Sequence, residues 1–230
     1  MENPDYSQML YRILPFLAAL LVYWYAPAAA AQNASQSPVV VELFTSKNCP
    51  SCPAAERYMS ELLQQNKNLI ALSCHVTYWN RPGRSDPLST PACTRRQQKY
   101  VAALGNNGKI YTPQMVVNGR DEFVGSYRDK ARKALSRASP VALIPISKQD
   151  DKTLMAQLPQ MPPSTYTLVT FGYKNNMINS VTYAPPTESW NGGAKMKGIT
   201  MPHDNDVDGL VILVQSAKTG AILGAGKIKL

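Results

Sequence analysis

The stretch TSKNCPSCPAAE, residues 45–56, sets Cys49 and Cys52 two residues apart. Thiols at that spacing can form a redox couple, a fixed disulfide or half of a metal site. A C-x-x-C loop is too short for a large chain-entropy gain, so stabilisation alone is a weak reason for such a pair. SPVVVELFTS (residues 37–46) precedes it and reads as a buried strand. AAERYMSELLQQN follows, with apolar Tyr58, Met59, Leu62 and Leu63, and reads as a helix. Cys49 therefore stands where strand turns into helix. A thiolate there is stabilised by the helix dipole and by free backbone N–H groups, and Lys47 adds positive charge nearby. In an exchange reaction Cys49 would attack a substrate disulfide and Cys52 would resolve the mixed disulfide. Pro50 suits the first helical position. Pro53 offers a different start, because the residue before a proline is pushed out of the helical region. The helix would then begin at Pro53 with Cys52 as its cap, shifting dipole stabilisation toward Cys52.

Four cysteines allow three pairings, and spacing favours 49–52 and 74–93. Cys74 lies in the apparent strand NLIALSCHVTYW, and Cys93 starts the helical stretch ACTRRQQKYVAALG. A 74–93 bridge would clamp that helix to the sheet, and an electron relay with 49–52 is the functional alternative. His75 and Cys74 point to opposite sheet faces, so one of them approaches the C-x-x-C loop. A thiol pair plus one His suits copper(I) or zinc, but a packed strand histidine is commoner, and no metal is assigned. Trp79 and Tyr78 either line a substrate groove or pack in the core.

The elements that must position these residues follow in order. The first strand and helix lead to NLIALSCHVTYW, a second strand, and then to RPGRSDPLSTP, a loop of turn formers. The 92–105 helix ends at Gly105. KIYTPQMVVNGRDEFVGS gives two strands joined at Asn118–Gly119, a strong hairpin signal, and SYRDKARKALSRA closes the unit as a helix. After Pro140 no long helical pattern remains, and short strands punctuated by Pro and Gly take over, including a hairpin turning near Lys218–Gly220.

A strand, C-x-x-C, a helix and then Thr112–Pro113 opening a ββ hairpin resemble the thioredoxin superfamily. The resemblance implies that Pro113 is cis and faces the cysteines, leaving the backbone edge at Thr112 free for an extended substrate segment. VVVELFTSKNCPSCPAAE, HVTYWN, RRQQKY and YTPQMVVNGR together look like a narrower family of exported bacterial proteins of unknown function, with a thioredoxin-like domain and a β extension. That likeness implies the fold and leaves the substrate open. Asn48 stands where thioredoxins commonly carry Trp.

At the N-terminus Ile13–Tyr25 is apolar and follows Arg12, and APAAAAQ suits cleavage after Ala31. Pro15 and Pro27 make residues 13–31 a poor membrane span, so the segment reads as an export signal, with a retained anchor as the alternative. The product is then periplasmic or secreted, in an oxidising compartment where disulfides persist. The formal charge is +9 and mostly scattered. Its one cluster, Arg128, Arg132, Lys133 and Arg137, reads as the solvated face of an amphipathic helix. It lacks interleaved aromatics to stack bases, so no nucleic-acid partner is assigned. Asp204, Asp206, Asp208 and Gly209 resemble half a calcium loop, but Gln215 stands where the bidentate carboxylate belongs and a strand follows. That run reads as a solvated turn.

The expectation is an α/β protein: a signal over residues 1–31, a thioredoxin-like domain with an inserted helix over 38–139, and a small antiparallel β domain over 140–230. Its expected function is thiol–disulfide exchange on protein thiols or disulfides, without a cofactor. Cys49, Cys52 and Pro113 carry the chemistry, Thr112, His75 and Trp79 line the groove, and Cys74–Cys93 is a bridge. The alternatives are a binding protein with an inert Cys49–Cys52 disulfide, or a copper-binding protein.

Overall fold

The computed structural model describes residues 37–105, 108–175, 178–201 and 207–230. The expected signal segment, together with Asp204 and Asp206 of the acidic run, lies outside the described residues. β1 (Val39–Thr45) is buried along nearly its whole length, as its run of β-branched and apolar residues requires. It feeds helix α1 (Cys52–Gln65), which buries Ala55, Tyr58, Met59 and Leu62 on one stripe. β2 (Leu69–His75) returns parallel to β1, with Phe44 beside Cys74 and Thr45 beside His75. α2 (Pro91–Leu104) is capped by the Thr90 hydroxyl, which accepts the Cys93 N–H at 3.1 Å. It ends at Gly105, whose φ of 71° is the left-handed form that glycine adopts without a steric cost. β3 (Gln114–Val117) and β4 (Asp121–Val124) form the expected hairpin. Asn118 and Gly119 both take positive φ, as a tight primed turn needs. α3 (Arg128–Arg137) follows. Strand order β4-β3-β1-β2 with this element sequence is the thioredoxin-like arrangement.

The remaining residues form β5 (Ala142–Leu143), β6 (Ile146–Lys148), β7 (Thr153–Leu158), β8 (Tyr166–Lys174), β9 (Ser180–Tyr183), β10 (Glu188–Trp190), β11 (Lys195–Thr200), β12 (Gly209–Ser216) and β13 (Ile222–Lys229). β8, β12 and β13 pair antiparallel, and β6, β7 and β11 make a separate three-stranded sheet. The large sheet does not stop at the end of the helices. β9 pairs with β2 through Ser73 and Ser180, so among the described residues nine strands run from β4 to β5, and β10 adds a tenth by pairing with β8. Asn179 makes the joint: its side-chain amide donates to the Ala71 carbonyl at 3.1 Å, and its own carbonyl accepts the Ser73 N–H. The change of texture near residue 140 thus marks the end of the last helix, and Ser37–Leu230 form one compact unit.

Two apolar layers cover the two faces of the first strands. Val41, Leu43, Ala71, Met115 and Val117 pack under α1 and α3. Val40, Phe44, Leu72, Cys74 and Val116 face α2, and the same cluster continues into Val169, Phe171, Val211 and Leu213. A third cluster lies within the C-terminal strands, around Leu154, Leu168, Trp190 and Ile212.

At the heart of the α2 side is a buried ion pair. Glu42, on β1, takes a bidentate contact from Arg96 of α2, one arm measuring 2.7 Å. Tyr100 donates its hydroxyl to the same carboxylate at 2.6 Å. Arg96 also reaches Gln215 of β12 at 3.3 Å and lies 5.0 Å over the Phe171 ring. Burial works against the Arg96 charge, and the Glu42 carboxylate more than restores it. Three elements that are far apart in sequence are therefore tied at one point.

A candidate redox site at the end of β1

The four cysteines form two disulfides, Cys49–Cys52 and Cys74–Cys93, with none free. Cys49 sits in the turn between β1 and α1, its N–H bonded to the Ser46 carbonyl at 3.1 Å and its carbonyl to the Cys52 N–H at 3.3 Å. α1 starts at Cys52 itself, with Ser51 as the N-cap and Pro53 in the first turn. That is one residue earlier than the start at Pro53. The early start is tolerable because the first N–H groups of a helix have no intrahelical acceptor, so the one missing from Pro53 leaves no bond unmade. Cys52 is thus at the positive end of the helix, and Cys49 lies just ahead of it.

The Thr112–Pro113 bond is cis. Phe44 pairs with Gln114, so Pro113 lies across from the residues where β1 runs into the cysteine turn. Gly125 closes in behind: its N–H donates to the Pro113 carbonyl at 2.9 Å. A Cβ on Gly125 would meet Leu43 at 2.9 Å and Ala55 at 3.1 Å. Trp79 and Thr112 do come together, the indole N–H donating to the Thr112 hydroxyl at 2.7 Å. Behind them Gln97 donates to the Tyr111 carbonyl and to Gln114, and Gln114 donates to Glu122. This polar layer fixes the backbone that leads into Pro113.

His75 is buried, 3 % exposed, and on the α1 face of the sheet beside Thr45. Its Nδ1 is 2.7 Å from Asp86 Oδ2. Asp86 escaped attention in the sequence because RPGRSDPLSTP reads only as turn formers, yet it organises the site. It is 3 % exposed. Its carboxylate also accepts the Lys47 N–H at 2.7 Å and the Leu88 N–H at 3.0 Å. One carboxylate therefore holds the chain two residues before Cys49. Next to it Asn48 and Arg84 exchange two hydrogen bonds, of 3.1 and 3.2 Å. The segment between β2 and α2 thus borders the cysteine turn at Asn48 and the cis-proline at Thr112. Glu56, on the same helix face as Cys52 and one turn on, accepts the Thr45 hydroxyl at 2.6 Å.

Burial pushes the Asp86 carboxyl up, but the hydrogen bonds from His75, Lys47 and Leu88 outweigh it and hold it below the usual carboxylate range. A carboxyl held low stabilises the folded chain above its unfolded value and stops doing so as pH falls through the folded one. Asp86→Asn is expected to cost about 1.5–3 kcal/mol at pH 7. The difference between variant and parent should begin to shrink below about pH 4, where an unfolded Asp protonates, and vanish as pH falls through the lower folded value. Urea unfolding at pH 7 and pH 3 checks both.

Cys74 points to the face opposite His75 and joins β2 to the start of α2. Closing a loop of this length contributes about 3 kcal/mol in the chain-entropy picture. Cys74→Ala/Cys93→Ala should therefore melt early in thermal unfolding, and unchanged melting would count against a structural clamp. The two disulfides suit a non-reducing environment. No helix among the described residues is long and apolar enough to cross a membrane. Among them, no group of three or more His, Cys, Asp or Glu is arranged to hold a metal ion.

Comparison with known proteins agrees with this geometry. Over 90 residues, 39 % of this chain, it is 28 % identical to a thioredoxin of Methanocaldococcus jannaschii, covering 82 % of that protein. The crystal structure of protein AGR_C_4864 from Agrobacterium tumefaciens superposes with a TM-score of 0.68 at 25 % identity. The match spans 83 % of this chain and 93 % of that one, so the likeness takes in much of the C-terminal strands as well. Residues 40–221 match a whole family, and the chain belongs to it: the family described as protein of unknown function, DUF1223.

Proposed function

We propose that this is an exported thiol–disulfide oxidoreductase of thioredoxin-like fold, working through Cys49 and Cys52. The observation that carries the reading is the placement of the Cys49–Cys52 disulfide. It lies at the positive end of α1, in the turn that follows β1, and the register of β3 on β1 sets cis-Pro113 beside the end of that strand. In the oxidising direction a substrate thiolate attacks the Cys49 sulfur. The Cys49–Cys52 bond breaks, and its electron pair leaves on Cys52, where the helix end stabilises the thiolate. A second substrate thiolate then attacks the mixed disulfide and releases Cys49. The substrate loses two electrons and the cysteine pair gains them. Reduction of a substrate disulfide is the same path reversed. The residues before and after the cis-proline hold the incoming segment, with Trp79 and Thr112 at its edge. The substrates are protein thiols or disulfides outside the cytoplasm, reached after removal of residues 1–31. The test is the reduction potential of the 49–52 pair.

One observation favours a second reading. Cys49 is 2 % exposed and Cys52 fully buried, with the Asp86 and Arg84 contacts fastened over their turn. A bridge so enclosed also suits a binding protein that keeps the fold and never opens the disulfide. The same potential separates the two.

A further inference from the structure

The α2 side of the sheet carries a feature that the redox reading does not use. Beside α2, a cavity of about 410 Å³ and one of about 430 Å³ adjoin each other, sharing Arg96, Lys99, Val169 and Thr187. Together they form one groove between α2 and the strands β8 and β12. Its volume falls in the range that small-molecule sites occupy. Its floor is apolar, with Val169 and Phe171 beside the buried Tyr100.

Charge at this groove has one sign. Neither cavity is lined by any Asp or Glu, while Arg95, Arg96, Lys99 and Lys218 are all present. Arg96 is satisfied by Glu42 beneath it. Arg95, Lys99 and Lys218 form no ion pair among the described residues. Some exposed basic residues elsewhere pair with carboxylates, as Arg128 does with Glu61, Arg137 with Asp121 and Lys197 with Glu188. Three unpaired cations around an apolar floor complement a ligand with an apolar body and an anionic head.

We propose that the groove between α2, β8 and β12 binds small amphiphilic organic anions, carboxylates or sulfonates, with the apolar body over Val169 and Phe171 and the head at Arg95, Lys99 and Lys218. The groove lies on the face opposite α1 and shares no residue with the cysteine site, so it stands or falls independently of the redox reading.

Fluorescence titration tests it with two probes of one shape, 1-anilinonaphthalene-8-sulfonate and the uncharged N-phenyl-1-naphthylamine, on the full-length protein. The expected result is saturable one-to-one binding of the sulfonate, at least about tenfold tighter than the neutral probe. Arg95→Gln/Lys99→Gln/Lys218→Gln should weaken it by about tenfold or more with unchanged melting. Thr187→Trp, which fills the exposed rim common to both cavities and keeps every charge, should abolish it. Absence of saturable binding overturns the proposal. So does equal binding of the two probes, or retention of the sulfonate by Thr187→Trp, which would mark ion pairing at the surface without a site.

Discussion

Cys52→Ala should turn the protein into a trap. With Cys52 gone, Cys49 is a free thiol at the mouth of α1, and its mixed disulfide with a substrate has no resolving partner. Incubation with oxidised glutathione, followed by mass mapping, should show one half of the probe accumulating on Cys49 and nothing on the closed Cys74–Cys93 pair. The same Cys49 thiol should alkylate at pH well under the roughly 8.5 of an ordinary cysteine, because the helix end and Lys47 favour the thiolate. Cys49→Ala should form no lasting adduct. The opposite pattern, with Cys52 reacting in Cys49→Ala, would transfer the nucleophile to the residue that actually begins the helix. No adduct in either variant would favour the closed, non-catalytic bridge.

The largest stability effect is expected at Glu42. Glu42→Gln leaves the Arg96 guanidinium buried without its countercharge, and breaking such a pair from one side costs about 3–5 kcal/mol. For a unit of this size that lowers the melting temperature on the order of 10 °C. Removing both charges, as in Glu42→Gln/Arg96→Met, should recover a large part, because the desolvation of the guanidinium disappears with it. Thermal unfolding of the parent and the two variants reads this directly. A single-variant loss within about 0.5 kcal/mol, as at an ordinary surface site, would mean that the cluster is not what joins β1, α2 and β12.

Much of the positioning frame was legible in the chain. The β-branched run of β1, the apolar stripe of α1, Gly105 at the end of α2 and the Asn118–Gly119 turn all follow from local rules that tertiary packing did not override. Thr112–Pro113 could be singled out only by resemblance, and its bond is cis, as the resemblance implied. What escaped has a common cause: it depends on distant partners. Asp86 looks like one more loop residue until His75 and the Lys47 N–H converge on it. Glu42 looks like an interruption in an apolar strand until Arg96, 54 residues on, reaches it. β10 and β11 cannot be read from the chain, because TESW and KMKGIT carry no clean alternation; they are held by pairing to β8 and β7. The joining of β9 to β2 includes the Ser73–Ser180 pair and the Asn179 side chain, which no periodicity announces.

The most direct test of the redox account is a redox titration of the metal-free protein beginning at residue 32, with alkylation and mass mapping of each cysteine pair. The account predicts a potential for Cys49–Cys52 between about −120 and −270 mV, with Cys74–Cys93 still closed there. A Cys49–Cys52 potential below about −300 mV would contradict it and leave a binding protein on a thioredoxin-like scaffold.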